Sequence, residues 1–187
     1  MRRLRAIAAL LLSLALAVPA RAQDVDPDRA AGVKAAYVVN FLRYTQWPAT
    51  AFSGPAAAYR VVVLGDEAVA RALRETARRP VLAGDRPLDV ITADPTDDGT
   101  LPHAHLVYFG AGVPHGTLVR LLATLPAQGV LTVGDGPGFC RDGGMLGLVL
   151  NDGRIVFDAN SRAILSSPLV VSAKVMKLAR VIEESPR

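Results

Sequence analysis

The sequence predicts an α/β fold: three layers, with a mainly parallel sheet flanked by helices and a C-terminal antiparallel β-hairpin. Two observations carry this. Apolar, β-branched runs such as Val61 to Leu64 alternate with amphipathic helical segments, the order that builds parallel sheets. Near the end, two apolar runs flank Asn151-Asp152-Gly153, a strong signal for a tight hairpin turn.

The elements follow in chain order. Asp26-Pro27-Asp28 is a helix start, with a capping acid, a proline at the first helical position and a second acid near the positive end of the dipole. This helix is expected to reach about Gln46, because Pro48 disfavours helical geometry at Trp47. Val33, Tyr37, Phe41 and Tyr44 recur on it at helical spacing as one core-facing stripe. Trp47 falls at the helix exit, where it can either anchor the helix end or seat a partner. Residues 49–58 are small and loop-like. Val61 to Leu64 reads as a strand buried on both faces, Gly65-Asp66 as a turn, and Glu67 to Arg78 as a helix. A shorter strand over 86–92, a polar loop over 93–102 and a third strand over 105–110 follow. Pro114 to Leu125 is a second crossover helix and 129–135 a fourth strand. The hairpin pairs Gly144–Leu150 with Arg154–Asp158. A short helix over Ser161–Ser167 and a final amphipathic helix over Ala173–Ile182 close the chain.

Residues 1–22 are set apart. Arg2, Arg3 and Arg5 precede an uncharged apolar run, Ala6 to Val18, and Ala20-Arg21-Ala22 supplies small residues for cleavage. This is the pattern of a secretory signal peptide, too short to span a bilayer, so residues 23–187 are expected to form one exported domain in the periplasm. Four of the 21 Lys and Arg lie in this leader and none of the 17 acids, which leaves 17 bases against 17 acids. A formally neutral chain gives no support for binding nucleic acid or an acidic membrane surface. Cys140 is the single cysteine, so no intrachain disulfide forms. It is either a buried apolar residue or a thiol that pairs with another chain.

Nothing in the sequence argues for an enzyme, a cofactor or a metal centre. Gly65-Asp66 opens a helix but lacks the further glycines of a dinucleotide fingerprint and the lysine of a phosphate loop. His103 and His105 would share one strand face, yet no third ligand follows at a recognisable spacing. The glycine-rich stretch "GDGPGFCRDGG" is either a mobile binding loop or a tight connection into the hairpin.

With these elements placed, "KAAYVVNFLRYTQWP", "VVVLGD", "VLTVGDGPGF", "GGMLGLVLNDGRIVFDAN" and "KVMKLAR" resemble, in order, the motifs of YfiR-like proteins. The resemblance implies a small periplasmic protein that inhibits an inner-membrane diguanylate cyclase and so lowers cyclic-di-GMP. It further implies an outer-membrane lipoprotein able to sequester the inhibitor, and leaves a homodimer open. The alternative function is a periplasmic small-molecule carrier or sensor using the crevice at the carboxyl ends of the parallel strands. The candidate partner-binding residues are Trp47 at the helix exit, Phe139 on the glycine-rich loop, Arg154 beside the hairpin turn, and Asp158 and Asn160 closing the hairpin. Asp158 and Ala159 stand where YfiR-like proteins usually carry a longer acid and a larger aliphatic residue. With Cys140 alone, the intrachain redox switching that the resemblance would imply has no second thiol.

Overall fold

The computed structural model describes residues 26–78, 86–94 and 101–182; the leader expected over residues 1–22 lies outside them. Helix α1 (Pro27–Arg43) starts as its capping acid dictates, with the Asp26 carboxylate accepting from the Asp28 amide at 3.1 Å. It ends three residues earlier than expected. Thr45 and Gln46 form β1, a two-residue strand that pairs antiparallel with β8 (Val170–Val171). The buried face of α1 is also rotated from the expected stripe. Ala31, Ala35, Val38 and Leu42 form its centre and Phe41 its flank, while Val33 and Tyr44 are exposed.

Among the described residues the main sheet has seven strands. They are β2 (Tyr59–Leu64), β3 (Leu88–Ala93), β4 (Leu106–Phe109), β5 (Leu131–Asp135), β6 (Leu146–Asn151), β7 (Arg154–Asn160) and β9 (Arg180–Ile182), in the order β3-β2-β4-β5-β6-β7-β9. Strands β3 to β6 in this order are mutually parallel, β6 and β7 form the antiparallel hairpin, and β9 runs parallel to β7. The hairpin turn is built as the sequence predicts: Asp152 (φ 48°) and Gly153 (φ 73°) both take left-handed conformations, the requirement of a two-residue turn matched to strand twist.

Helices α2 (Glu67–Ala77) and α3 (His115–Leu122) follow β2 and β4. Alternate residues of β2 feed opposite layers. Val61 and Val63 join Phe41, Leu42 and Leu73 under α1 and α2, whereas Val62 and Leu64 join Leu121 and Leu122 under α3. The two apolar clusters are thus the two faces of one sheet, as three layers require. Short helices α4 (Ser161–Leu165) and α5 (Ala173–Leu178) sit near the hairpin. The expected final helix over 173–182 is therefore cut short. Ala179 turns extended (ψ 150°), and Arg180–Ile182 become the edge strand β9 that satisfies the backbone of β7.

Candidate functional site

The base of the hairpin collects three of the five candidate residues, and all three are buried. Asp158 is 5 % exposed and lies opposite Arg180 in the β7–β9 register, so a guanidinium meets its carboxylate at 2.8 Å. Asn160, also 5 % exposed, works twice. Its amide donates to the Cys140 carbonyl at 2.8 Å, and its oxygen accepts from the Ala163 amide at 2.9 Å, which caps α4. Phe139, 3 % exposed, packs on Phe109 with ring centroids 5.6 Å apart and is gripped between Gly134 and Gly144, where a methyl group on either glycine would overlap the ring. The stretch "GDGPGFCRDGG" is thus a tight connection, moulded around one phenyl ring.

Cys140 shares this site. Its thiol donates weakly to the carbonyls of Asp158 (3.6 Å) and Met145 (3.8 Å). Burial, and then the Asp158 carboxylate, push its pKa up to about 12. A thiolate is the reactive form, so Cys140 should resist iodoacetamide at pH 8 in the native protein and be labelled fully once the chain is unfolded. Rapid native labelling, or a native disulfide-linked dimer, would contradict this.

Trp47 occupies a different place. Its ring packs against Tyr59 (centroids 5.4 Å), His105 (6.2 Å) and Phe52 (6.4 Å) at the amino ends of β2 and β4. Among the described residues its buried indole N–H has no hydrogen-bond partner, so shape rather than polarity holds it there. Arg154 is exposed at the hairpin turn. The registers set Tyr59 nine residues from Asn151 along the strand direction: two from Tyr59 to Val61, two from Leu131 to Val133 and five from Leu146 to Asn151. At about 3.3 Å per residue that is roughly 30 Å. The structure therefore does not bring Trp47 and Arg154 into one surface patch.

At the carboxyl ends of the parallel strands, charged side chains of the protein pair with one another. Lys34, reaching down from α1, meets Asp135 at 2.6 Å and Asp66 at 3.7 Å. The Tyr108 hydroxyl is buried beside them, facing Asp135 without closing a hydrogen bond of full geometry. Burial first, and the Asp135 carboxylate second, hold that phenol far above its ordinary pKa. On the same side Gly110 donates to the Leu64 carbonyl at 2.8 Å, and a Cβ on Gly110 would lie 2.6 Å from the Gly65 oxygen. Lys34 escaped the sequence reading because its acidic partner Asp135 is 101 residues away.

Among the described residues, the three most exposed large apolar side chains lie in the C-terminal segment. Leu165 (83 %), Leu178 (78 %) and Val170 (61 %) stand in solvent, together with Tyr44, whose carbonyl accepts from Ser172 beside the β1–β8 ribbon. Among the described residues no helix is long and apolar enough to cross a membrane.

Fold and surface define a small α/β protein with a hairpin whose turn is exposed and with exposed apolar side chains beyond it. The chain belongs to the YfiR/HmsC-like family, whose model matches residues 31–180, from α1 to the first residue of β9. The family's proteins are periplasmic and their role is regulatory. No curated protein sequence matches the chain.

Proposed function

We propose that this protein is exported through a cleaved leader and inhibits a membrane-bound signalling enzyme, a diguanylate cyclase, thereby lowering cyclic-di-GMP. The observation that carries this is the family match over residues 31–180. The exposed Leu165, Val170 and Leu178 are apolar side chains that a protein partner could cover.

Inhibition of this kind needs no chemistry from the inhibitor. A binder that prefers one state of its target by about 5.5 kcal/mol moves a 1:99 equilibrium to 99:1, and a few well-packed anchors reach that scale. In this reading Arg154 and the turn it borders touch the partner. Phe139, Asp158 and Asn160 act indirectly, by fixing the base from which the hairpin projects, and Trp47 acts by holding the amino ends of the sheet. An outer-membrane lipoprotein that sequesters the inhibitor, and self-association into a homodimer, are compatible with the same exposed surface.

The test is cyclic-di-GMP measured in cells that lack the gene, carry it, or carry Arg154→Glu. Loss of the gene should raise the nucleotide. Arg154→Glu should raise it too while melting like wild type, because an exposed turn residue carries little stability. Unchanged cyclic-di-GMP on deletion sinks the cyclase assignment. Full repression by Arg154→Glu sinks only the contribution of the hairpin turn.

A further inference from the structure

At the end of the sheet away from the hairpin turn, a cavity of about 460 Å³ opens between residues 50–58 and the entrance to β4. At about 30 Å³ per water it has room for roughly fifteen water molecules, a volume within the range of small-molecule sites. Its polar walls are the Arg60 guanidinium, the imidazoles of His103 and His105, and the hydroxyls of Thr50 and Ser53. Among the described residues no carboxylate lines it.

Two of the wall groups are already committed. His105 accepts the Arg60 amide at Nδ1 (2.9 Å), so its proton sits on Nε2, which donates to the Ala51 carbonyl at 3.0 Å. Burial lowers its pKa and keeps this tautomer neutral. Phe52 is occupied on both faces: His105 stacks on it at 4.4 Å, and the Arg86 guanidinium lies 3.9 Å from its centroid. Arg86 also donates to the carbonyls of Gly54 and Ala57, at 3.0 and 2.9 Å, so the loop wall is preformed. With these faces taken, a ligand meets polar groups rather than an open ring. Among the described residues, Arg60 uses Nε for Asp89 (3.2 Å) and otherwise makes one long contact, from Nη1 to the His103 carbonyl (3.5 Å). Its Nη2 edge and the exposed His103 ring are the groups left to recognise something.

We propose that this cavity binds a small organic oxyanion, whose carboxylate or phosphate is held by Arg60 and His103 with help from the Thr50 and Ser53 hydroxyls. Guanidinium groups favour such oxyanions because their planar forked donors match paired oxygens. The site lies among the amino ends of β2 and β4, and its existence does not depend on the regulatory reading.

The test is a two-dimensional amide NMR titration of the purified protein with sodium phosphate and, separately, with sodium citrate, against sodium chloride at equal ionic strength. At least one anion should give saturable shifts confined to residues 50–60 and 103–105. Which anion saturates tells a phosphate ligand from a carboxylate one. Affinity should fall at least tenfold in Arg60→Gln and several-fold in His103→Asn. His103 is exposed, so its variant keeps the test alive even where Arg60→Gln perturbs the strand. Absence of saturable shifts with both anions, or affinities within twofold of wild type in both variants, overturns the proposal.

Discussion

Gly144→Ala is expected to destabilise the protein severely, although it adds a single methyl group to a residue with no left-handed backbone requirement. The new carbon would lie inside the Phe139 ring, and Gly134 presses the opposite edge of that ring, so the phenyl cannot slide away. Overpacking of a well-filled core costs about 1–3 kcal/mol and occasionally more, and a ring held on both edges places this site at the upper end. Phe139→Ala should cost about 3–5 kcal/mol by the opposite route, leaving a void beneath Phe109. Each kcal/mol lowers the melting temperature by roughly 2–4 °C in a chain of this size. The diagnostic is the pair: Phe139→Leu with Gly144→Ala should melt higher than Gly144→Ala alone, because the smaller side chain relieves the overlap and the two changes are coupled. A Gly144→Ala protein with a wild-type melt would show that the loop does not grip the ring.

Trp47→Ala should be the other large effect, costing about 3–5 kcal/mol, toward the lower figure because the indole is only partly buried. Removing it uncovers Tyr59 and strips one wall from the His105–Phe52 stack. Trp47→Phe should recover most of the loss. The functional corollary separates anchor from contact. Since the indole lies about 30 Å along the strands from the hairpin turn, repression by Trp47→Ala should fail only as the fold fails, and should persist well below its melting temperature. A variant that melts normally yet no longer represses would place the partner on Trp47 itself.

The long-range plan of the molecule was legible because it rests on runs of several residues. Val61 to Leu64 announced a doubly buried strand, and Asn151-Asp152-Gly153 announced the turn that Asp152 and Gly153 make with positive φ. The two- and three-residue strands β1, β8 and β9 were not legible. A pairing that short has no periodicity, and the tail after Ala173 carries a helical pattern until Ala179 breaks it. Asp158 and Asn160 stand as partner-binding candidates in the sequence because their internal partners, Arg180 and the Cys140 carbonyl, are about twenty positions away and arrive only through the fold. The histidine pair was read against metal binding, while the work of His105, clamping a loop to two strands, depends on a tautomer that only geometry reveals.

The contacts of α1 also govern when this chain can fold. Tyr37 donates to the Ile155 carbonyl 118 residues later, and both Tyr37 and Phe41 rest on Phe157. A lone helix of 17 residues is marginal in water; α1 packs first on α2 and β2, and the remainder of its support arrives once the hairpin has been delivered. Under the proposed export, N-terminus first, that ordering is protective. The last contacts of the leading segment then wait for the closing of one long loop, which has to be completed after the hairpin has emerged.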